Sequence, residues 1–179
     1  MCSSDLGILG AMTCVLNGFD TYVYSRSPKP NDKAALVESF GAKYISIHDC
    51  TAQQLAERIG NIDLVYEAIG VAKTSFDVMM NLGLNGVFVF TGIPAPEGHF
   101  PLEGNQLMRN LVLKNQVVLG TVNADKAAFQ AAIRDLGEFK RRWPAALEKV
   151  ISARHPLENF RELLTGKATG IKNVLAFGK

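Results

Sequence analysis

Apolar and polar positions alternate along this chain in two rhythms. Leu6, Leu9, Met12, Thr13 and Leu16 recur at helical spacing, and Asn17-Gly18 stops that helix. Thr21-Tyr22-Val23-Tyr24 is short, β-branched and aromatic, which predicts a strand ending at Ser25-Arg26-Ser27-Pro28. Asn31-Asp32 can cap a helix that runs through Phe40 and closes at Gly41. Tyr44-Ile45-Ser46-Ile47 predicts the next strand, residues 51–59 a short helix before Gly60, and residues 62–68 a buried strand before Gly70. Residues 73–82 read as a helix and Gly86-Val87-Phe88-Val89-Phe90 as another buried strand.

These strands are almost continuously apolar, so both of their faces are buried. Buried strands separated by helices predict an α/β fold with a doubly wound parallel sheet. After Gly92 the texture changes. Residues 93–101 hold three of the seven prolines and predict a loop. A helix over residues 104–113 precedes the strand Gln116-Val117-Val118-Leu119-Gly120, and a long helix over 124–142 stops at Trp143-Pro144. In that helix Phe129, Ile133, Leu136 and Lys140 keep helical spacing, and the first three are expected in the core. Trp143 is expected in an apolar groove. Residues 151–179 read as strand, helix (157–164), glycine-containing turn and strand (171–177), a rhythm of their own.

Composition narrows the class of protein. The 179 residues carry 19 Lys+Arg against 17 Asp+Glu, which excludes a strongly basic nucleic-acid binder and a disordered acidic segment. The longest apolar run, residues 6–16, is too short to cross a membrane, and no Lys or Arg precedes it as in a signal peptide. Cys2, Cys14 and Cys50 are too scattered for a disulfide framework and lack metal-ligand spacing. Reduced thiols in a cytoplasmic protein are expected. His48, His99 and His155 stand alone, with no Glu or Cys at ligand spacing, so no metal site is expected here. Lys140-Arg141-Arg142 reads as a solvated helix end favoured by the macrodipole.

In an open parallel sheet, ligands bind beyond the carboxyl ends of the strands. Those positions are Ser25-Arg26-Ser27-Pro28-Lys29, Glu67-Ala68-Ile69-Gly70, Thr91-Gly92-Ile93 and Thr121-Val122-Asn123. Small or polar residues at four strand ends suit a dinucleotide cleft. An acidic residue at the end of the second strand would hydrogen-bond a ribose 2′-hydroxyl and repel a 2′-phosphate. Ser25 and Arg26 stand there instead, and a guanidinium pairs with phosphate through two parallel hydrogen bonds. This favours NADP, with NAD as the alternative. Glu67 either shapes the nicotinamide pocket or is a salt-bridged or solvated carboxylate.

The phosphate loop breaks the pattern. A G-x-G-x-x-G fingerprint needs a preceding strand and two glycines before the one that opens the helix. Gly7 stands where the third belongs, with Ser25 eighteen positions later, but residues 1–6 offer neither the earlier glycines nor an apolar strand. The sheet is therefore expected to lack its first, central strand. Residues 1–6 are expected not to be native to the fold, and the chain to be the later part of a longer protein.

The order of these clusters, the Ser-Arg-Ser turn, Thr91-Gly92-Ile93, Gly120-Thr121-Val122-Asn123 and the following Phe129 resemble the C-terminal half of zinc-dependent medium-chain dehydrogenases. Residues 139–151 and the tail with His155-Pro156-Leu157-Glu158, Gly166-Lys167 and Gly170 point the same way, most closely to archaeal and microbial-type glucose 1-dehydrogenase. The resemblance implies a Rossmann domain over residues 7–150 and, over 151–179, a tail that returns to an N-terminal catalytic domain. It implies Leu6 and Gly7 in the pyrophosphate loop and Ser25, Arg26 and Ser27 at the adenosine ribose phosphate. Thr91, Gly92, Ile93, Thr121, Val122 and Asn123 would lie on the nicotinamide side, with Asn123 also touching the sugar and Lys167 reaching the cofactor from the tail. The implied reaction is hydride transfer from the C1 hydroxyl of a glucose-like aldose to nicotinamide. Zinc and its ligands would belong to the missing domain, so no catalytic residue is expected in this chain and the fragment alone is expected to be inactive. A homo-oligomer is expected for the full-length protein. The competing readings are an NAD-linked alcohol or polyol dehydrogenase of the same superfamily and a non-catalytic nucleotide-binding fragment.

Overall fold

The computed structural model describes residues 5–96, 98–166 and 170–177. Helices and strands alternate: α1 (Asp5–Leu16), β1 (Tyr22–Ser25), α2 (Asp32–Ser39), β2 (Lys43–Ser46), α3 (Ala52–Ile59), β3 (Leu64–Glu67), α4 (Ala72–Met79) and β4 (Val87–Phe90). There follow α5 (Gly104–Leu113), β5 (Val117–Gly120), α6 (Lys126–Arg142), α7 (Pro144–Val150), β6 (Ile151–Pro156), a 3-10 turn (Leu157–Asn159), α8 (Phe160–Thr165) and β7 (Lys172–Ala176). Local chemistry sets several of these limits. Thr51 and Gln54 form a reciprocal capping box at the start of α3, and Asp125 accepts from the Ala128 N–H at 2.8 Å to start α6.

The strands form separate ladders, β1–β2, β3–β4–β5 and β6–β7. The last two are parallel. Lys43 N–H donates to Thr21 O and Ile47 N–H to Ser25 O, each at 2.8 Å, so β1 and β2 also run in the same direction. Among the described residues no ladder joins β1 to β3.

The chain divides into two compact units. The first comprises residues 24–31 and 44–124 and holds β3, β4, β5, α3, α4 and α5. Its core is Ile62, Met79, Leu82 and Phe88, with Ile59, Val65, Phe76, Phe90 and Leu107 packed against it. Phe88 and Phe90 lie with ring centroids 4.7 Å apart, and Phe76 stacks on Phe100 at 5.6 Å.

The second unit comprises residues 5–23, 32–43 and 125–177. Trp143 packs between Phe40 and Phe139, both at 6.0 Å, which is the apolar groove expected for it. The long helix stops at Arg142, as expected, and Pro144 opens a further short helix, α7, because proline's missing N–H is harmless at the first helical position. One expectation needs correction here. Phe129, Ile133 and Leu136 are not core residues: they are 62%, 69% and 41% exposed. Helix α6 rests instead on Ala131, Asp135, Glu138 and Phe139, and the Thr13 hydroxyl of α1 donates to Asp135 at 3.3 Å. The apolar stripe faces away from that side. At its C-terminus Arg141 and Arg142 pair with Glu138 at 2.6 and 3.4 Å and remain exposed, as a solvated helix end should.

Candidate functional site

Parallel pairing in register puts chosen residues at one edge of the sheet. Glu67, Phe90 and Gly120 are aligned across β3, β4 and β5. The residues that follow, Ala68, Thr91 and Thr121, therefore leave the sheet side by side. Thr91 N–H donates to Glu67 O at 2.9 Å, and Thr121 N–H to Phe90 O at 3.0 Å, which carries the ladder one step past the strand ends. Thr91-Gly92-Ile93 and Thr121-Val122-Asn123 are thus brought to one edge, as the chain order required. Ile93 and Val122 are 83% and 73% exposed, and Asn123 takes a left-handed φ of 65°, a conformation asparagine tolerates well.

The loops after β3 and β4 approach closely. A Cβ on Gly70 would lie 2.5 Å from the Ile93 carbonyl oxygen, and one on Gly92 would collide with the Gly70 nitrogen. Only glycine allows this backbone-to-backbone contact.

The turn after β1 is braced in the same unit. Ser25 is 3% exposed and its Oγ has no hydrogen-bond partner among the described residues. Arg26 is exposed and makes no ion pair among the described residues. Ser27 is held by its carbonyl, which accepts from the Tyr44 hydroxyl at 2.9 Å, and Asn31 Nδ2 donates to Pro28 O at 2.7 Å. Lys29 Nζ lies over the Tyr44 ring at 5.9 Å. Tyr24 donates to Cys50 O at 2.8 Å; burial chiefly, helped by Cys50 and Asp77, pushes its phenol up to about 12.

Leu6 and Gly7 belong to the second unit, in the first turn of α1, where Gly7 is buried and Leu6 is 45% exposed. Asp5 of that turn pairs with Lys172 at 2.7 Å. Lys167 lies outside the described residues. Among the described residues there is no group of three His, Cys, Asp or Glu side chains that could hold a metal ion, and no helix is long and apolar enough to cross a membrane.

Sequence reasoning left one residue undecided. Glu67 is buried and forms no salt bridge among the described residues: its side chain accepts from the backbone N–H groups of Ile69, Gly70 and Gly92. The available signal was an acid followed by Gly70 at a buried strand end, where backbone donors converge.

Comparison with known proteins gives a consistent picture. A glucose 1-dehydrogenase from Methanocella arvoryzae is 28% identical over 173 residues, 97% of this chain and 48% of that protein. Glucose 1-dehydrogenase 1 from Caldivirga maquilingensis is 32% identical over 170 residues, 95% of this chain and 47% of that protein. The chain thus spans about half the length of the curated relatives it matches. Glucose dehydrogenase from Haloferax mediterranei, solved in complex with NADP, Zn and gluconolactone, shares the fold with a TM-score of 0.86 at 24% identity, over 99% of this chain and 49% of that one. Residues 1–177 match the family described as glucose dehydrogenase C-terminus, and the chain belongs to that family.

Proposed function

We propose that this chain is the dinucleotide-binding part of an NADP-dependent aldose dehydrogenase. The full reaction oxidises the C1 hydroxyl of a glucose-like sugar to a lactone, with hydride passing to the nicotinamide. The observation that carries the cofactor choice is the turn after β1. A buried hydroxyl without a partner costs about 1–3 kcal/mol, so the Ser25 Oγ calls for a ligand oxygen or water beside it. Arg26 next to it has its guanidinium free among the described residues, and its planar fork matches a phosphate. No acid stands at this strand end to repel a 2′-phosphate.

Ser25, Arg26 and Ser27 would hold the 2′-phosphate, and the loops at Thr91-Gly92-Ile93 and Thr121-Val122-Asn123 would line the nicotinamide side, with Asn123 close to the sugar. A bound NADP would supply the hydride acceptor; this chain's residues bind and orient it, and orientation alone contributes several kcal/mol to such a rate. The described residues do not fit a zinc ion, and no step of this proposal passes through one. Residues 151–179 are read as the tail of the catalytic domain, supported by the pairing of β6 with β7 in a ladder of their own. A homo-oligomer and a cytoplasmic location complete the reading, the latter because disulfides persist mainly in oxidising compartments and Cys14 and Cys50 are free thiols.

Calorimetric titration of the chain with NADP+ and NAD+ tests the cofactor choice. Tighter uptake of NADP+ is expected, and a preference for NAD+ refutes the proposal.

A further inference from the structure

Glu67 ends β3 and is 5% exposed. A buried carboxylate ordinarily has a cation beside it. Here, among the described residues, its side-chain partners are backbone N–H groups: Oε1 accepts from Ile69 and Gly70, each at 2.8 Å, and Oε2 accepts from Gly92 at 3.1 Å. The Glu67 carbonyl accepts the Thr91 hydroxyl at 2.7 Å and the Thr91 and Gly92 N–H groups at 2.9 and 3.2 Å. One residue therefore ties the loop leaving β3 to the loop leaving β4. The loops leave no room between them, since a Cβ on Gly70 or on Gly92 would strike the backbone opposite.

We infer that Glu67 is the positioning residue of the second nucleotide half of the site: its carboxylate holds residues 69–70 and 91–93 together at one strand edge so that they present a fixed surface to the nicotinamide. This deepens the NADP reading and rests on it. A dinucleotide spans both halves of such a sheet, with the adenosine end at the second strand and the other nucleotide across the switch point. The lock therefore acts on one end of the ligand only. The chemistry also demands a carboxylate. Three N–H donors need acceptors on both side-chain oxygens, and a glutamine amide offers an acceptor on one side and a donor on the other. Glu67→Gln keeps the shape but sets an NH2 against a backbone N–H, which frees one loop. A loosened loop must be ordered again when ligand binds, and that lowers affinity.

The test uses the 179-residue chain, wild type and Glu67→Gln, titrated with NADP+ and with 2′,5′-ADP, which carries the adenosine end alone. The dissociation constant for NADP+ rises about tenfold in the variant while that for 2′,5′-ADP stays within about twofold. Amide hydrogen exchange speeds up at Gly70 and Gly92 but not within β4. Gly92→Ala, which keeps the carboxylate and drives the loops apart, gives the same split between ligands. Unchanged NADP+ affinity in both variants, or equal loss of both ligands, overturns the positioning role. If the wild-type chain takes up neither ligand, the NADP reading falls and the positioning role with it. If the wild type binds both and Glu67→Gln matches it, the positioning role alone falls.

Discussion

Alanine at Phe139 and at Phe129 separates two accounts of helix α6. Both side chains lie on the same helix, and both changes favour helix propensity slightly. Phe139 is 2% exposed and its ring lies 6.0 Å from that of Trp143, which in turn faces Phe40. Truncation there removes the transfer free energy, leaves a cavity and breaks an aromatic pair, for about 3–5 kcal/mol in all. Phe129 is 62% exposed, so its truncation changes stability by no more than about 0.5 kcal/mol. The assay is urea denaturation followed by circular dichroism, compared at constant slope. In a protein of this size the first change lowers the melting temperature by roughly 6–20 °C and the second by about 2 °C or less. Equal losses at the two sites would refute the orientation of α6 described above and restore the core role that spacing predicts for Phe129.

Three further outcomes follow from local chemistry. Tyr24 is held protonated to about pH 12 by burial first and by Cys50 and Asp77 second, whereas an unfolded tyrosine ionises near 10. Its contribution to stability is therefore present below pH 10 and lost as pH rises from 10 through about 12; Tyr24→Phe flattens that limb of a stability-against-pH curve, and an unchanged limb would contradict the assignment. Thr51→Ala removes one half of the capping box on α3 and costs about 1 kcal/mol of unfolding free energy, read from a lowered denaturant midpoint at constant slope, with no effect on ligand affinity. Gly70→Ala forces a Cβ to 2.5 Å from the Ile93 carbonyl at a backbone φ of 62°, so it destabilises the fold by at least the roughly 1–2 kcal/mol of a left-handed alanine; a neutral effect would show that the two loops are not in contact.

Much of this architecture is legible in the residues alone, because it depends on local signals. Gly18, Gly41 and Gly60 mark helix ends through their positive φ, and Val87-Phe88-Val89-Phe90 announces a strand whose central residue, Phe88, is fully buried. The clusters after β3, β4 and β5 are legible for the same reason: parallel pairing of these strands brings them to one edge. What could not be read depends on which face is covered. The Phe129, Ile133 and Leu136 spacing identifies an apolar stripe correctly, but the period says nothing about whether another element lies on it. Helix α7 was not read because the same missing N–H that ends one helix is harmless at the start of the next. Glu67 stayed undecided because three backbone donors from two loops meet only once β3 and β4 are paired in register.

In the proposed reading the charge at the end of β1 decides the cofactor, and Arg26→Ala probes this most directly. Four titrations suffice: wild type and variant, each with NADP+ and with NAD+. A charge-assisted bidentate pair is worth about 1.5–3 kcal/mol, so the variant should bind NADP+ about 10–150-fold more weakly while its affinity for NAD+ stays unchanged. Equal affinity of the wild type for both coenzymes, or equal loss of both in the variant, would contradict a 2′-phosphate at Ser25-Arg26-Ser27.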